Sequence, residues 1–303
     1  MSSTIATRPA KRLVRSFPVH AMEEGAGFLV HRPFPVPGLS YIDPFLLLDE
    51  MGPKVYGPGE AKGAPDHPHR GFETVTYMLE GEFEHADSAG NRGDLKPGDV
   101  QWMTAGAGVV HSEMPSQKIM QRGGKVHGFQ LWVNLPASAK MSPPRYQELK
   151  SAAIPEVSLP EEAGRVRVIA GEVNGVRAKV NTQVPITYLD LKLEPDASTR
   201  LTLQAPLRTL IYPISGSASI GTEELERGNL YQLSDEEAEL VLDSAEEGFR
   251  ALILQGQPLN EPVARYGPFV MNTREEVMQA VVDYQNGKMG SLRPEVKRID
   301  IEE

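Results

Sequence analysis

Short apolar and β-branched runs, separated by turns rich in proline and glycine, recur along most of the chain. Clear examples of such runs occupy residues 73–79, 126–133, 187–193 and 208–213, and turn signals stand at 88–93, 96–99 and 215–216. Runs of this length, bounded by such turns, are typical of antiparallel strands. The pattern therefore predicts an all-β chain built as sandwiches or barrels.

One segment near the C-terminus has a different period and predicts a helix at about 273–287. Thr273 and Glu276 have the spacing of a capping box, in which each side chain satisfies a backbone N–H of the first turn. Val277 and Val281 then repeat at helical spacing, and a glycine follows. This helix is expected to pack on the β-structure through its apolar stripe.

The two halves of the chain resemble each other weakly. Residues 77–81 and 212–216 both read as the end of a strand followed by a glycine turn, and a second glycine turn follows at Gly98 and at Gly228. A repeated unit of this kind predicts two similar β-barrels in tandem.

A proline-rich stretch marks the predicted junction between the two barrels. We place the first barrel at 1–140, a linker at 141–155, and the second barrel, with its C-terminal helix, at 156–303. A chain of 303 residues, with 40% hydrophobic residues, has enough apolar material for two packed cores.

Charge and cysteine content narrow the chemistry. The net charge is -10, and residues 1–150 hold 16 basic and 16 acidic residues, so the whole acidic excess lies in 151–303. An acidic protein repels phosphate backbones, which disfavours direct nucleic-acid binding. The chain has no cysteine, so any metal site must use His, Asp or Glu.

The apolar runs and the N-terminal sequence predict a cytoplasmic protein. No apolar run reaches the 18 or so residues that a membrane-spanning helix needs. The basic N-terminal stretch lacks the apolar core of a secretory signal. We expect no membrane association and a monomer.

Two short motifs carry the candidate chemistry. His67 and His69 are two residues apart, as are His111 and Glu113. In a strand, residues two apart share a face, so neighbouring strands could aim all four side chains at one point. Three imidazoles and a carboxylate suit a divalent transition metal, although a lone His-x-His motif in a β-protein is more often incidental. On one continuous strand, Glu73 would share the histidine face.

The remaining histidines and Glu73 are not expected to ligate the metal. Glu73 is expected to hydrogen-bond a histidine rather than to ligate the metal. His85 is predicted to be solvated near a hairpin loop, and His127 to be buried and hydrogen-bonded or to support the site. His20 and His31 are expected to be structural or exposed.

Longer motifs around these residues resemble those of the cupin superfamily and, within it, of the pirin family. The matching blocks are DHPHRGFETVTY at 66–77, PGDVQWMTAGAGVVHSEMP at 97–115 and GFQLWVNLP at 128–136, with a further stretch at 43–49. Departures from the general cupin pattern, such as Thr104 in place of a proline, are shared with pirins. The blocks concentrate in residues 40–136, and the resemblance over 150–303 is weak in detail.

The resemblance implies a bicupin whose first barrel holds one divalent metal ion. Carried onto this sequence, the ligands are His67, His69, His111 and Glu113. The expected ion is Fe(II), with Mn, Ni, Cu, Co or Zn as alternatives. The second barrel should lack the metal, because no histidine follows residue 127.

The resemblance also suggests an activity. Some pirins are similar to quercetin 2,3-dioxygenases, which use O2 to open the flavonol ring and release carbon monoxide. On this hypothesis Glu113 accepts the proton of the substrate hydroxyl, and a small aromatic substrate rests on an apolar wall. Candidates for that wall are Phe72, Trp102, Met103 and Phe129, of which several are expected to be plain core.

Two alternatives stay open. The chain could be an iron-binding, redox-sensitive regulator that binds a protein partner, such as a transcription factor or a metabolic enzyme, without catalysis. It could also be a metal-dependent isomerase or another cupin enzyme, because fold and ligand set do not fix the reaction.

Overall fold

A computed structural model describes residues 9–24, 27–204 and 206–292 of the chain. The described residues are mostly strands, as the sequence pattern predicts, with one six-residue helix and one longer C-terminal helix. No helix among them is long and apolar enough to cross a membrane.

Twelve strands and a short helix make up the first half of the chain. In chain order they are β1 Leu13–Pro18, β2 His20–Glu24, β3 Phe28–Phe34, β4 Phe45–Tyr56, β5 Ala64–His69, β6 Phe72–Glu80, β7 Phe83–Asp87, β8 Arg92–Leu95, β9 Val100–Thr104, β10 Val109–Pro115, α1 Gln117–Arg122, β11 Gly124–Asn134 and β12 Arg145–Leu149. Two antiparallel sheets form the first barrel: a seven-stranded sheet in the order β12-β9-β6-β11-β4-β3-β2 and a four-stranded sheet in the order β5-β10-β7-β8.

The second half repeats this architecture around a larger sheet. Its elements are β13 Glu156–Ser158, β14 Gly164–Ala170, β15 Glu172–Val173, β16 Val176–Arg177, β17 Ile186–Leu193, β18 Ser198–Leu201, β19 Arg208–Ile220, β20 Glu223–Leu225, β21 Asn229–Leu233, β22 Leu240–Gly256, β23 Ala264–Tyr266, β24 Phe269–Met271 and α2 Arg274–Gln285. Nine strands form one sheet, in which β22 is long enough to pair with β17, β18 and β19. Apolar side chains such as Val168, Leu191 and Leu242 fill this second barrel.

The C-terminal helix α2 begins as the sequence predicts. The Thr273 side chain accepts from the Glu276 backbone N–H, and the Glu276 side chain accepts from the N-cap backbone, so the capping box is present. Val277 and Ala280 are buried against Val110 and Phe269. The helix therefore packs on the first barrel, beside the strand β10 that carries His111.

Strands and side chains cross between the two barrels. Strand β1 from the N-terminal region pairs with β21 of the second barrel, and β12, inside the predicted linker, pairs with β9 of the first. One apolar cluster includes Phe129 of the first barrel and Leu252 of the second. The domain boundaries at 1–140, 141–155 and 156–303 stay a prediction, whereas the two-barrel, all-β plan with a C-terminal helix is confirmed.

Candidate metal centre

Three histidines converge at the mouth of the first barrel. His67 and His69 lie on β5, His111 lies on the neighbouring β10, and the register places His111 directly opposite His67. Their candidate ligand atoms all lie within 4.8 Å of one another. The alternation of side chains along two paired strands, which the sequence predicts, is what brings the three rings together.

The ring nitrogens are free to act as ligands. His67 Nδ1 lies 2.8 Å from the Pro65 carbonyl oxygen, so donation there leaves the Nε2 lone pair available. Among the described residues, His69 Nδ1 and both nitrogens of His111 are buried without a hydrogen-bond partner. Three imidazoles with free nitrogens fit a divalent metal ion.

Burial keeps two of these rings neutral. His69 and His111 are only 2% and 0% exposed. Burial, reinforced by the neighbouring histidines, lowers the pKa of both well below the usual value. Metal ligation requires the neutral imidazole, so the environment favours the form that binds a metal.

Glu113 lines the same cavity as His67 and His69. It follows His111 on β10, and the register with β5 shifts between these two residues. The Thr76 hydroxyl donates to Glu113 Oε1 at 2.7 Å. Glu113 is therefore an oriented carboxylate beside the histidine cluster, and its role as the fourth ligand stays a prediction.

The expectation that His67 through Tyr77 form one strand is wrong. Strand β5 ends at His69, and β6 begins at Phe72 in the other sheet. Gly71, at φ 89°, makes the turn between them, and an added Cβ would overlap the Val270 carbonyl. The chain thus changes sheets immediately after the second histidine.

The change of sheet also removes Glu73 from its expected role. Glu73 is fully buried and accepts a hydrogen bond from the Thr104 hydroxyl at 2.6 Å, not from a histidine. Burial raises the pKa of its carboxyl above the usual value. The predicted hydrogen bond to a metal-binding histidine is therefore wrong.

His85 is the polar residue that sequence reasoning misplaced. It is 3% exposed, not solvated, and its ring lies 5.4 Å from that of His111. The Gln101 amide nitrogen lies 2.8 Å from His85 Nδ1, and the ring stacks on Tyr146. Strand β7 places His85 directly opposite Glu113. Burial alternates along β7, so the strand points His85 inward.

The remaining histidines lie outside the cluster. His127 is buried, and its Nε2 lies 2.8 Å from Glu50 Oε1, which confirms that it is buried and hydrogen-bonded. His31 Nδ1 lies 2.8 Å from the Gly52 carbonyl oxygen, and His20 is exposed. Both agree with the expected structural or exposed roles.

A cavity of about 680 Å³ opens beside the cluster. We call it the histidine cavity; its lining side chains include Phe28, Val30, Leu47, Met51, His67, His69, Thr76, Phe83, Glu113, Gln130, Trp132 and Arg265. Its wall is largely apolar, and its polar side chains include the histidines and Glu113 together with the charged Glu24, Arg32, Asp49 and Arg265. The space suits a flat aromatic molecule.

None of the four aromatic or sulfur side chains expected to form the apolar wall lines this cavity. Trp102, Met103 and Phe129 are buried in the cores, and Phe72 lies behind the His69 ring at a centroid distance of 5.0 Å. Trp132 takes their place, with its ring 5.1 Å from that of His69. Sequence proximity to the histidines was a poor guide because the face of the strand decides: Phe129 and Trp132 both lie on β11, but only Trp132 faces the cavity.

Comparisons with known proteins agree with this architecture. The model of the Pirin family matches residues 27–133, and that of the Pirin C-terminal cupin domain matches residues 188–290. The two matches fall on the first and second barrels.

Relatives and a solved structure extend the likeness over nearly the whole chain. Human Pirin is 42% identical, with 94% of this chain and 96% of that protein covered. A Pseudomonas aeruginosa protein named "Putative quercetin 2,3-dioxygenase PA3240" is 45% identical, with coverage of 88% and 94%. A crystal structure of quercetin 2,3-dioxygenase from Acinetobacter baumannii superposes with a TM-score of 0.87 at 41% identity, covering 94% of this chain and 100% of that one. The chain belongs to the pirin family.

Proposed function

We propose that this pirin holds one divalent metal ion through His67, His69, His111 and Glu113. The ion that we expect is Fe(II). We further propose that the protein catalyses the O2-dependent ring opening of a flavonol or a related phenolic. The observation that carries the proposal is the cluster of unpartnered imidazole nitrogens at an apolar cavity. The likeness to proteins named quercetin 2,3-dioxygenase supports the choice of reaction.

A bound metal would supply Lewis-acid polarisation of a substrate hydroxyl and redox chemistry toward O2. The chain's own residues would do the rest. The buried histidines stay neutral and hold the ion, while Trp132 and its apolar neighbours exclude water and orient an aromatic ring. Phe72 packs behind His69 and limits its movement.

Glu113 is the residue that we expect to move a proton. Its carboxylate lies in the cavity wall, and the Thr76 hydroxyl fixes one oxygen at 2.7 Å. The other oxygen can accept the proton of a phenolic hydroxyl held beside the histidines once Glu113 has swung away from the metal. Thr76 would thus orient the base without competing for the same oxygen.

The test is anaerobic reconstitution of the purified protein with each divalent metal, followed by quercetin and O2. We expect metal-dependent loss of flavonol absorbance with release of carbon monoxide. His69→Ala should lose most bound metal, and Glu113→Gln should lose turnover. Exposed counterparts, His20→Ala and Glu223→Gln, should behave as the wild type.

Two outcomes would count against the proposal. Full metal content in His69→Ala would contradict the ligand assignment. Metal binding without turnover of quercetin or of a panel of other phenolics would contradict the dioxygenase assignment. Redox-dependent capture of a protein partner by such an inactive protein would favour the regulatory alternative.

A further inference from the structure

Arg265 brings a positive charge from the C-terminal region to the histidine cavity. It lies on β23, lines the cavity together with His67 and His69, and is exposed to solvent at this edge. Its guanidinium carbon lies 4.8 Å from the centroid of the Trp132 ring. Because that ring also contacts the His69 ring, a single aromatic side chain separates the charge from the candidate metal ligands.

Arg265 has no close ion-pair partner among the described residues. Its Nη1 and Nε make only long hydrogen bonds, both 3.4 Å, to the carbonyl oxygens of Leu46 and Gly267. Among the described residues no Asp or Glu forms an ion pair with it. The guanidinium therefore retains donors for a ligand.

A second arginine in the same wall is already neutralised. Arg32 donates two bonds of 2.6 Å to Asp49 and also pairs with Glu24. Both of these carboxylates line the cavity, so they attract Arg265 at longer range. Their short contacts, however, go to Arg32, which leaves Arg265 as the cation with free donors.

The position of Arg265 over the Trp132 ring prepares it for one kind of ligand. A guanidinium held over an aromatic ring keeps N–H groups at its edge for hydrogen bonds to other partners. Those N–H groups match the two oxygens of a carboxylate in a bidentate pair. Because the cavity between Arg265 and the histidines is largely apolar, the ligand that fits is an aromatic ring with an oxygen for the metal at one end and a carboxylate at the other.

We propose that Arg265 binds the carboxylate of a phenolic acid whose hydroxyl oxygens face the histidine cluster. This inference rests on the proposed function, since it assumes a metal that binds phenolic oxygen. It narrows the substrate class from phenolics in general to phenolic acids. It also gives the C-terminal segment a part in specificity.

The test uses nickel-loaded protein kept free of O2, so that the probe can bind without being turned over. 3,4-Dihydroxybenzoate and its methyl ester are titrated by calorimetry into the wild type, Arg265→Gln and Arg265→Lys. The acid should bind the wild type about tenfold more tightly than the ester, as a charge-assisted hydrogen bond implies. Arg265→Gln should remove that advantage and leave the ester affinity unchanged, and Arg265→Lys should keep part of it. The exposed Arg177→Gln variant should match the wild type.

The outcomes separate the two proposals. If acid and ester bind the wild type equally, or if Arg265→Gln leaves the tenfold preference intact, the role of Arg265 is overturned and the metal centre stands. If Arg265→Gln weakens both probes alike, Arg265 only supports Trp132 and the inference is again overturned. If neither probe binds the nickel-loaded wild type, the proposed metal-held phenolic site itself fails.

Discussion

At the scale of single residues, the most informative feature is polar atoms that lack partners. His69 Nδ1 and both nitrogens of His111 are buried without a hydrogen bond among the described residues. Each unsatisfied buried polar group costs about 1–3 kcal/mol. A bound metal ion would take one nitrogen of each ring and relieve part of this cost, so the site itself predicts that metal binding and folding stability are linked.

Metal removal should therefore destabilise the protein. At a free metal concentration of about 100 times Kd, binding to the folded state adds about 2.7 kcal/mol to the free energy of unfolding. Urea denaturation of metal-loaded and chelator-treated protein measures the difference. His69→Ala should abolish it and His20→Ala should retain it. An equal metal-induced shift in both variants would place the stabilising metal elsewhere.

His85 should tune metal affinity without acting as a ligand. Its ring lies 5.4 Å from that of His111 and opposite Glu113, and it is held by Gln101. His85→Ala would leave space behind His111 and free Glu113 to move. We expect metal affinity to fall about tenfold, as for other residues that orient metal ligands. Competition with a chromophoric chelator measures this, and unchanged affinity would contradict the role.

The candidate ligand set follows from the sequence more directly than its surroundings do. His67 and His69 are two residues apart, as are His111 and Glu113, so the period of a strand alone predicts that each pair shares a face. His85 and Trp132 belong to β7 and β11, whose approach depends on how strands distant in sequence pair. Local spacing carries no information about that register, which is why one residue was misplaced and the other overlooked.

At the scale of elements, the change of sheet between β5 and β6 positions the histidine cluster. Gly71 makes this turn in a backbone conformation that L-residues rarely adopt, against the Val270 carbonyl that precedes helix α2. The period of apolar and polar residues gives no sign of such a break, so the sequence pattern predicted one continuous strand across it. The C-terminal segment is therefore a structural support of the histidine strand.

Gly71→Ala should be more damaging than an equivalent change elsewhere. The positive φ and the overlap of a Cβ with Val270 should together cost about 2 kcal/mol or more. Gly90 has nearly the same φ, 90°, but nothing within 4 Å of an added Cβ, so Gly90→Ala isolates the cost of conformation. Denaturant unfolding and metal titration should show a larger loss for Gly71→Ala. Equal losses would show that Val270 does not restrict the turn.

Lys140 supports the same turn with a buried ammonium group. Its Nζ donates to the carbonyl oxygens of Gly71 and Val270 and to Asn134 Oδ1, at 2.9, 3.1 and 2.7 Å. Burial lowers the pKa of Lys140 to about 8, from an ordinary 10.5. The unfolded chain therefore binds more protons than the folded chain between these two values.

Because of this difference, the free energy of unfolding should change with pH in the alkaline range. The contribution of Lys140 to the free energy of unfolding should rise between about pH 8 and 10.5, by up to about 3 kcal/mol. Lys140→Met lacks the titration, so the wild type should gain stability relative to it across this window. Urea unfolding at several pH values measures the gap. The exposed Lys192→Met variant should show no such trend, and a constant gap for Lys140→Met would contradict the prediction.

At the scale of the whole molecule, the two barrels are joined by buried polar contacts as well as by an apolar core. Glu50 of the first barrel accepts hydrogen bonds from Tyr212, at 2.9 Å, and Arg227, at 3.2 Å, of the second. The Tyr77 hydroxyl donates to Asp190 at 2.6 Å. The sequence predicted two barrels from a weak repeat, but the partners of buried charges depend on how the barrels dock.

Glu50→Gln should weaken the junction in a pH-dependent way. Burial alone would raise the pKa of Glu50, but the hydrogen bond with His127 and the charge of Arg227 outweigh it and hold the pKa below its usual value. Such a carboxylate contributes stability above its unfolded pKa of about 4.5, and that contribution is lost as the pH falls through the lower, folded-state pKa. Replacing one partner of a buried, charged network by its neutral isostere should cost about 2 kcal/mol at neutral pH.

The pH dependence distinguishes loss of this carboxylate from general damage. Unfolding of Glu50→Gln and the wild type, followed by tryptophan fluorescence from pH 7 to pH 3, should show a stability gap that narrows below about pH 4.5. The exposed Glu246→Gln variant should follow the wild type throughout. A gap that stays constant would mean that the charge of Glu50 is not what joins the barrels. A narrowing gap would show that the first barrel, with its histidine cluster, is held to the histidine-free second barrel by an ionised group that acid neutralises.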